Sequence, residues 1–357
     1  MPALHLTGVL LPAESRRDLW VRDGTITFEP VPGADTVSRG GFILPGLVDA
    51  HCHIGLDNDP VAASPEVALR QAHVERDAGV LLLRDAGSPV DTRWLQQRTD
   101  VPRIIRAGRH LARTGRYIPD LAIELEPADL PAEVERQAAA GDGWVKLVGD
   151  WIDRGLGDLA PEWPADALHE AVRRAHAAGA KVAVHTFGEE ALPDLIAAGV
   201  DSIEHGTGLT EDLLGKMAAA GTALVPTLIN IENFPSIADQ ARRFPVYAER
   251  IRRLHSTSRI RLRAAYEAGV PIYAGTDAGT MLPHGRIAEE VRELQRAGMS
   301  AVDALGAASW RARDWLGLPG IEEGAPADLG VYAADPRVDI DTLATPQRIV
   351  LHGLVVR

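Results

Sequence analysis

The sequence predicts an α/β chain: eight parallel strand–helix units closed into a (β/α)8 barrel of TIM type, beside a small β-sandwich formed by both termini. Three observations carry that expectation. A helical stretch that closes in Ala-Gly and runs at once into an apolar, β-rich segment recurs along the middle of the chain. The recurrence has the pitch of one helix plus one strand. The two ends lack it and read as short strands separated by turns.

Taken in order, residues 3–40 contain Leu19-Trp20-Val21 and Thr25-Ile26-Thr27-Phe28 around Arg22-Asp23-Gly24, a hairpin signal. An apolar run over 42–48 is the first expected barrel strand. The recurring phrase then appears as Asp77-Ala78-Gly79-Val80-Leu81-Leu82-Leu83, as Ala178-Gly179-Ala180-Lys181-Val182-Ala183-Val184 and as Ala198-Gly199-Val200-Asp201-Ser202-Ile203. It returns as Ala220-Gly221-Thr222-Ala223-Leu224-Val225 and Ala268-Gly269-Val270-Pro271-Ile272-Tyr273. Glycine is the usual left-handed residue after a helix, so each strand begins where a helix stops. Helices alternating with strands imply a parallel sheet with crossover connections. Runs at 102–107 and 144–148 complete eight strands, the seventh over 223–228 and the eighth over 271–274. A span of about 250 residues is usual for such a barrel. The expected domains are therefore 42–318 for the barrel, with a long insertion at 229–269, and 1–41 with 319–357 for the β-sandwich. The insertion carries arginines from Arg242 to Arg263, read as a solvated helical face.

Composition bounds the function. The 357 residues are 46% hydrophobic and 24% charged, with a net charge of −13. An acidic chain without a basic face is not expected to bind nucleic acid or an anionic membrane surface. The single cysteine, Cys52, excludes an internal disulfide framework and fits a reducing cytoplasm. No apolar run has membrane-spanning length, and the N-terminal residues lack a signal-peptide pattern.

Chemistry enters at the strand ends, where barrel active sites are built. Leu44-Pro45-Gly46-Leu47-Val48-Asp49-Ala50-His51-Cys52-His53 is an apolar run ending in two histidines. Residues i and i+2 of a strand share a face, so both imidazoles can reach one point. Alone, the pair is an even bet between a metal site and a solvated strand end. However, His185 ends strand five, His205 ends strand six, and Asp277 follows strand eight in Gly275-Thr276-Asp277. Lys146 lies within the apolar run Trp144-Val145-Lys146-Leu147-Val148. A buried ammonium is costly and needs a partner or a modification.

These residues, with Glu204-His205-Gly206-Thr207, Arg84-Asp85-Ala86-Gly87-Ser88 and Pro283-His284-Gly285, make the chain resemble the amidohydrolase superfamily. The likeness is strongest to its imidazolonepropionase-like and prolidase-like branch with a binuclear metal site. The resemblance implies two divalent ions, Zn2+ first with Mn2+, Fe2+ or Co2+ as alternatives. It implies that His51, His53 and Asp277 hold one ion, that His185 and His205 hold the other, and that an N-carboxylated Lys146 bridges them. It further implies a metal-bridging hydroxide as nucleophile, with Asp277 as catalytic acid and base.

The implied activity is hydrolysis of an amide-type C–N bond in a dipeptide, N-acyl amino acid or cyclic amide. The implied partner is a small-molecule substrate, with a homo-oligomer left open. A mononuclear-metal deaminase of a small heterocycle is the alternative enzyme, opposed by Lys146. A non-catalytic scaffold is opposed by the complete set of six positions. Further substrate candidates are Tyr117, His284, Arg154 and Phe187, while Asp85 is a candidate for orienting a ligating imidazole. Phe187 and Gly149-Asp150-Trp151 depart from prolidase-like patterns, which weakens a specific prolidase assignment.

Overall fold

A computed structural model describes residues 2–57, 63–279 and 281–357. Both termini contribute to one seven-stranded mixed sheet. Its central strand, Asp35–Pro45, runs parallel to Leu4–Leu10 and antiparallel to Leu329–Tyr332, so it ties the two ends of the chain together. The predicted hairpin forms, with Arg22 opposite Thr25 and Asp23 and Gly24 at φ +52° and +82°. Two successive positive φ angles define the turn that matches strand twist. Leu6, Leu19, Ile26, Ile43 and Val350 make an apolar cluster on this sheet.

The first expected barrel strand is displaced. Residues 35–45 belong to the terminal sheet, and a separate strand, Leu47–Cys52, starts after Gly46. A Cβ at position 46 would lie 2.5 Å from Leu81 Cβ. The chain therefore changes sheets at the one residue that fits there. The domain boundary expected between residues 41 and 42 thus falls inside a continuous strand.

The middle of the chain builds two parallel arcs. One runs in order through Leu47–Cys52, Val80–Asp85 and Arg103–Arg106. The other runs through Trp144–Val148, Lys181–Thr186, Ser202–His205 and Ala223–Val225, with Leu111–Arg113 and Ile123–Leu125 at its far edge. Residues 272–278 connect the arcs, since Leu224 bridges Ile272 and Cys52 bridges Ala278. The expected eighth strand does not form a continuous ladder. Its N–H groups go to three segments: Tyr273 to Leu224 O, Ala274 to Ala307 O and Asp277 to His51 O. Among the described residues no ladder joins Arg103–Arg106 to Trp144–Val148. The connection there is Asp142 N–H to Arg106 O at 2.8 Å.

The helices lie between the strands as the Ala-Gly phrase requires. Leu192–Ala198 and Glu211–Ala220 end on Gly199 and Gly221 in the left-handed region, at φ +82° and +70°. The expected insertion is helical: Leu228–Ile231, Phe234–Gln240 and Pro245–Glu267. The seventh strand stops at Val225, earlier than expected, because Thr227 turns the chain at φ +45° and Leu228 already begins a helix. Phe234, Tyr247, Ile251 and Leu254 pack with Phe187 over the strand ends. The arginines of this region do more than face solvent. Arg250 pairs with Asp158 at 2.8 Å, Arg253 with Glu189 at 2.6 Å, and Arg259 with Glu232 and Glu293 at 2.7 and 2.6 Å. Among the described residues no helix is long and apolar enough to cross a membrane.

Candidate metal centre

Four histidines and one aspartate from three strand ends and the connecting segment meet at the C-terminal side of the parallel strands. His51 and His53 come from the first, His185 and His205 from two neighbouring strands, and Asp277 from the connecting segment. The rings sit 5.2 Å apart for His51–His53, 5.1 Å for His51–His205 and 4.6 Å for His185–His205. Asp277 Oδ1 lies 2.9 Å from His53 Nε2 and 3.2 Å from His51 Nε2. One ligand atom from each of His51, His205 and Asp277 falls within 4.8 Å of the others, a spacing that could hold a metal ion.

The backbone turns these side chains inward at a cost. His205, Thr227 and Asp277 adopt φ +67°, +45° and +59°, each worth on the order of 1–2 kcal/mol for a residue with a Cβ. Such outliers cluster where geometry serves a function. Glycines admit the close approach: at Gly275 a Cβ would lie 2.7 Å from His51 Cβ, and at Gly87 (φ +121°) 2.6 Å from His110 Nδ1.

Outer partners fix each ring. His51 Nδ1 meets Glu204 Oε2 at 2.5 Å, His53 Nδ1 meets Gly87 O at 2.7 Å, and His205 Nδ1 meets Thr227 Oγ1 at 2.7 Å. These contacts leave the Nε2 atoms of all three rings facing the shared centre, a common arrangement behind metal-binding imidazoles. Burial pushes the Glu204 carboxyl up, but Arg84, His51 and Lys146 outweigh it and hold it well below the usual carboxylate range. Burial acts likewise on Asp277, where the neighbouring imidazoles of His51, His53 and His205 win and hold it well below its ordinary value. Burial lowers His205 to about 3 and His185 well below its ordinary value.

Lys146 is 1% exposed, and its Nζ has no hydrogen-bond partner among the described residues. Burial lowers its ammonium to about 8, against the opposing pull of Glu204 and Asp277. His51 Nε2 and His185 Nε2 are likewise buried without a hydrogen bond. Three orphaned buried nitrogens beside a carboxylate are costly as they stand. They fit a donor set for divalent cations, which prefer imidazole and carboxylate ligands.

The remaining candidates divide. Tyr117 and Phe187 line the cavity above the cluster. Arg154 does not: it is exposed, next to the hairpin strand Asp150–Asp153. His284 lines a neighbouring cavity, with Nδ1 2.8 Å from Glu75 Oε1. Asp85 is buried and accepts from Gly87 N–H at 3.1 Å and from Thr92. It makes no hydrogen bond to His53, whose Nδ1 meets Gly87 O instead, but its charge acts on that ring. Burial raises its carboxyl to about 6.

Three residues with evident roles carry no role in the sequence reading. Glu204 holds His51, Arg84 holds Glu204 at 2.8 Å, and Asn230 Nδ2 donates to Asp277 Oδ2 at 2.6 Å. Glu204 and Arg84 sit in apolar strand runs, so the buried-charge signal that singles out Lys146 applies equally to them. Asn230 lies in a short helix after the seventh strand and carries no such signal.

Comparison with known proteins settles the ancestry of this arrangement. A family model described as Amidohydrolase family matches residues 42–355. The chain belongs to the amidohydrolase family. A relative in Mycobacterium tuberculosis (strain ATCC 25618 / H37Rv), an uncharacterized protein, is 59% identical over 351 residues, covering 98% of this chain and 95% of the relative. Among solved amidohydrolase-like folds, a Xaa-Pro dipeptidase with methionine in its active site superposes with a TM-score of 0.85 at 24% identity, covering 99% and 100% of the two chains. Ochratoxinase of A. niger superposes at 0.83 and 20% identity, covering 100% and 96%. At these identities the structural likenesses establish the fold.

Proposed function

We propose that this amidohydrolase is a metal-dependent hydrolase of a small amide-type C–N bond. The observation that carries the reading is the convergence of His51, His53, His185, His205 and Asp277 around the orphaned Lys146 amine. His51, His53 and Asp277 would hold one divalent ion and His185 and His205 a second, with Zn2+ the first choice. Lys146, its amine made more readily neutral by burial, would be carboxylated and bridge the pair. When bound, the ions supply Lewis acidity toward the amide carbonyl and the attacking water.

The chain's own groups do the rest. Asp277 Oδ1 faces the cluster while Oδ2 is held by Asn230, which aims one carboxylate oxygen at the reacting centre. An ionised Asp277 takes a proton from water and returns it to the departing nitrogen. Water's oxygen bonds to the carbonyl carbon, the C–N bond breaks, and the amine leaves neutral. Tyr117, on the cavity wall, would donate to the carbonyl oxygen.

In this reading the parallel arcs are the two sides of a (β/α)8 barrel that begins at Leu47, with the sheet built by both termini beside it. A cytoplasmic setting suits the fully buried thiol of Cys52. The test is a metal-reconstituted screen over amides, dipeptides and cyclic amides, with metal counted per chain. About two ions per chain and hydrolysis abolished by Asp277→Asn support the reading. One ion per chain with an active Lys146→Ala protein overturns the binuclear form, and no turnover on any amide overturns the activity.

A further inference from the structure

The cavity walls speak to substrate class, an inference that rests on the hydrolase reading above. The space over the imidazole cluster measures about 260 Å3. Its walls away from the cluster include Tyr117, Trp151, Phe187, Ile237, Tyr247 and Met281. The rings brace one another. Tyr117 and Trp151 meet at 4.6 Å and 69°, Trp151 and Phe187 at 6.0 Å, and Phe187 rests edge-on against Phe234 at 4.8 Å and 80°. Tilted and edge-to-face packing of this kind holds side chains in place. The slot is therefore shaped before any substrate arrives, and it suits a flat apolar group.

Charge narrows the class further. Among the described residues lining the cavity, Lys146 is the one lysine or arginine, and it sits in the cluster, not on the wall. Nearby arginines are committed elsewhere. Arg116 donates to Trp151 O and Ala160 O, both at 3.1 Å, and pairs with Asp153. Arg250 pairs with Asp158 and Glu190. Arg154 is exposed and lines no part of the space. Of the polar groups on the wall, Asn230 is held by Asp277 and Asn233, while His110 and the hydroxyls of Tyr117 and Tyr247 make no side-chain hydrogen bond among the described residues. A carboxylate carried against this aromatic wall would lose its water without meeting a lysine or arginine there, whereas a neutral group with an acceptor oxygen would meet the Tyr117 and Tyr247 hydroxyls.

We propose that the preferred substrates are uncharged aromatic amides, with the ring against the wall formed by Tyr117, Trp151 and Phe187 and no carboxylate adjoining the scissile C–N bond. The test uses the metal-loaded enzyme and matched pairs differing only in that carboxylate. N-acetylphenethylamine against N-acetylphenylalanine places the ring on the amine side. N-methylbenzamide against N-benzoylglycine places it on the acyl side. The expected result is a kcat/KM at least tenfold higher for the uncharged member of a hydrolysed pair. Equal or better turnover of the carboxylates overturns the proposal. If no member of either pair is hydrolysed, the hydrolase reading is what suffers, and calorimetric titration of the same four compounds decides the binding question. Tenfold tighter binding of the uncharged members supports the proposal; equal binding or a preference for the carboxylates overturns it.

Discussion

Glu204 and His51 share a 2.5 Å contact between Oε2 and Nδ1, buried at 0% and 1% side-chain exposure. Because Glu204 is held ionised by Arg84 and His51, its oxygen accepts and the imidazole Nδ1 donates. That assignment leaves the lone pair of His51 on Nε2, toward Asp277 and the shared centre. The arrangement also explains an arginine deep among the strands: Arg84 donates to both Glu204 oxygens and to Ala50 O, and lies 4.5 Å from the Trp144 ring.

Glu204→Gln keeps the shape and removes the charge that orients His51. Losing such an outer partner costs about 10–100-fold in metal affinity or activity. The expected result is a matching drop in metal retained after dialysis, read by elemental analysis, together with lower kcat/KM. Full metal occupancy at unchanged activity would show that His51 needs no such support.

Asn230 governs the other carboxylate oxygen at the centre. Asn230→Ala frees Asp277 Oδ2 to rotate away, so kcat should fall about tenfold while KM changes little, the pattern of an interaction that matters in the transition state. Asp277→Asn should cost far more, about 100–10,000-fold, if Asp277 carries the proton as proposed. Equal losses in the two variants would mean that Asn230 acts on folding, which a thermal melt of the Asn230→Ala protein separates.

Much of this centre is legible in the sequence because His51, His185, His205 and Asp277 sit at or just past the ends of apolar runs, and strand ends of a parallel sheet share one rim. Lys146 is legible by a different signal, an amine inside an apolar run. The rule fails at residues 42–48, where an unbroken apolar run hides the change of sheet at Gly46; only the packing of Leu81 reveals it. It fails again at 223–228, because nothing in Pro226-Thr227-Leu228 announces that Thr227 turns left-handed. Arg84 and Glu204 are visible as buried charges but find each other only once the strands are placed, 120 residues apart in sequence. Asn230 depends on a four-residue helix too short for any periodicity to show.

Arg154 and His284, both candidate substrate contacts by sequence, occupy opposite settings: one is exposed, the other buried against Glu75. Exposed Arg154 should be dispensable: Arg154→Ala is expected to leave kcat/KM within about twofold and stability within about 0.5 kcal/mol. His284→Ala should instead act on folding. Glu75 Oε1, fully buried, would keep only the Gly285 N–H at 3.0 Å, and a buried group stripped of a partner costs about 1–3 kcal/mol. Denaturant unfolding and steady-state kinetics on both variants check this, and a large kinetic defect with unchanged stability in His284→Ala would reverse the assignment.

Lys146 gives the metal-free protein a pH signature of its own. Its folded-state value of about 8 lies below the ordinary 10.5. Between those values the unfolded chain binds the extra proton, so stability rises with pH across that interval and is lowest below about 8. The full difference corresponds to about 3 kcal/mol at most. In Lys146→Met the buried ammonium is gone, so the metal-free variant should be more stable than the parent at pH 7 by up to that amount. The advantage should shrink through pH 8 to 10.5 and vanish above it. Urea unfolding of both metal-free proteins at several pH values reads this directly. A stability difference that stays constant with pH would mean that Lys146 keeps its ordinary pKa in the folded chain, its ammonium finding a partner when no ions are bound.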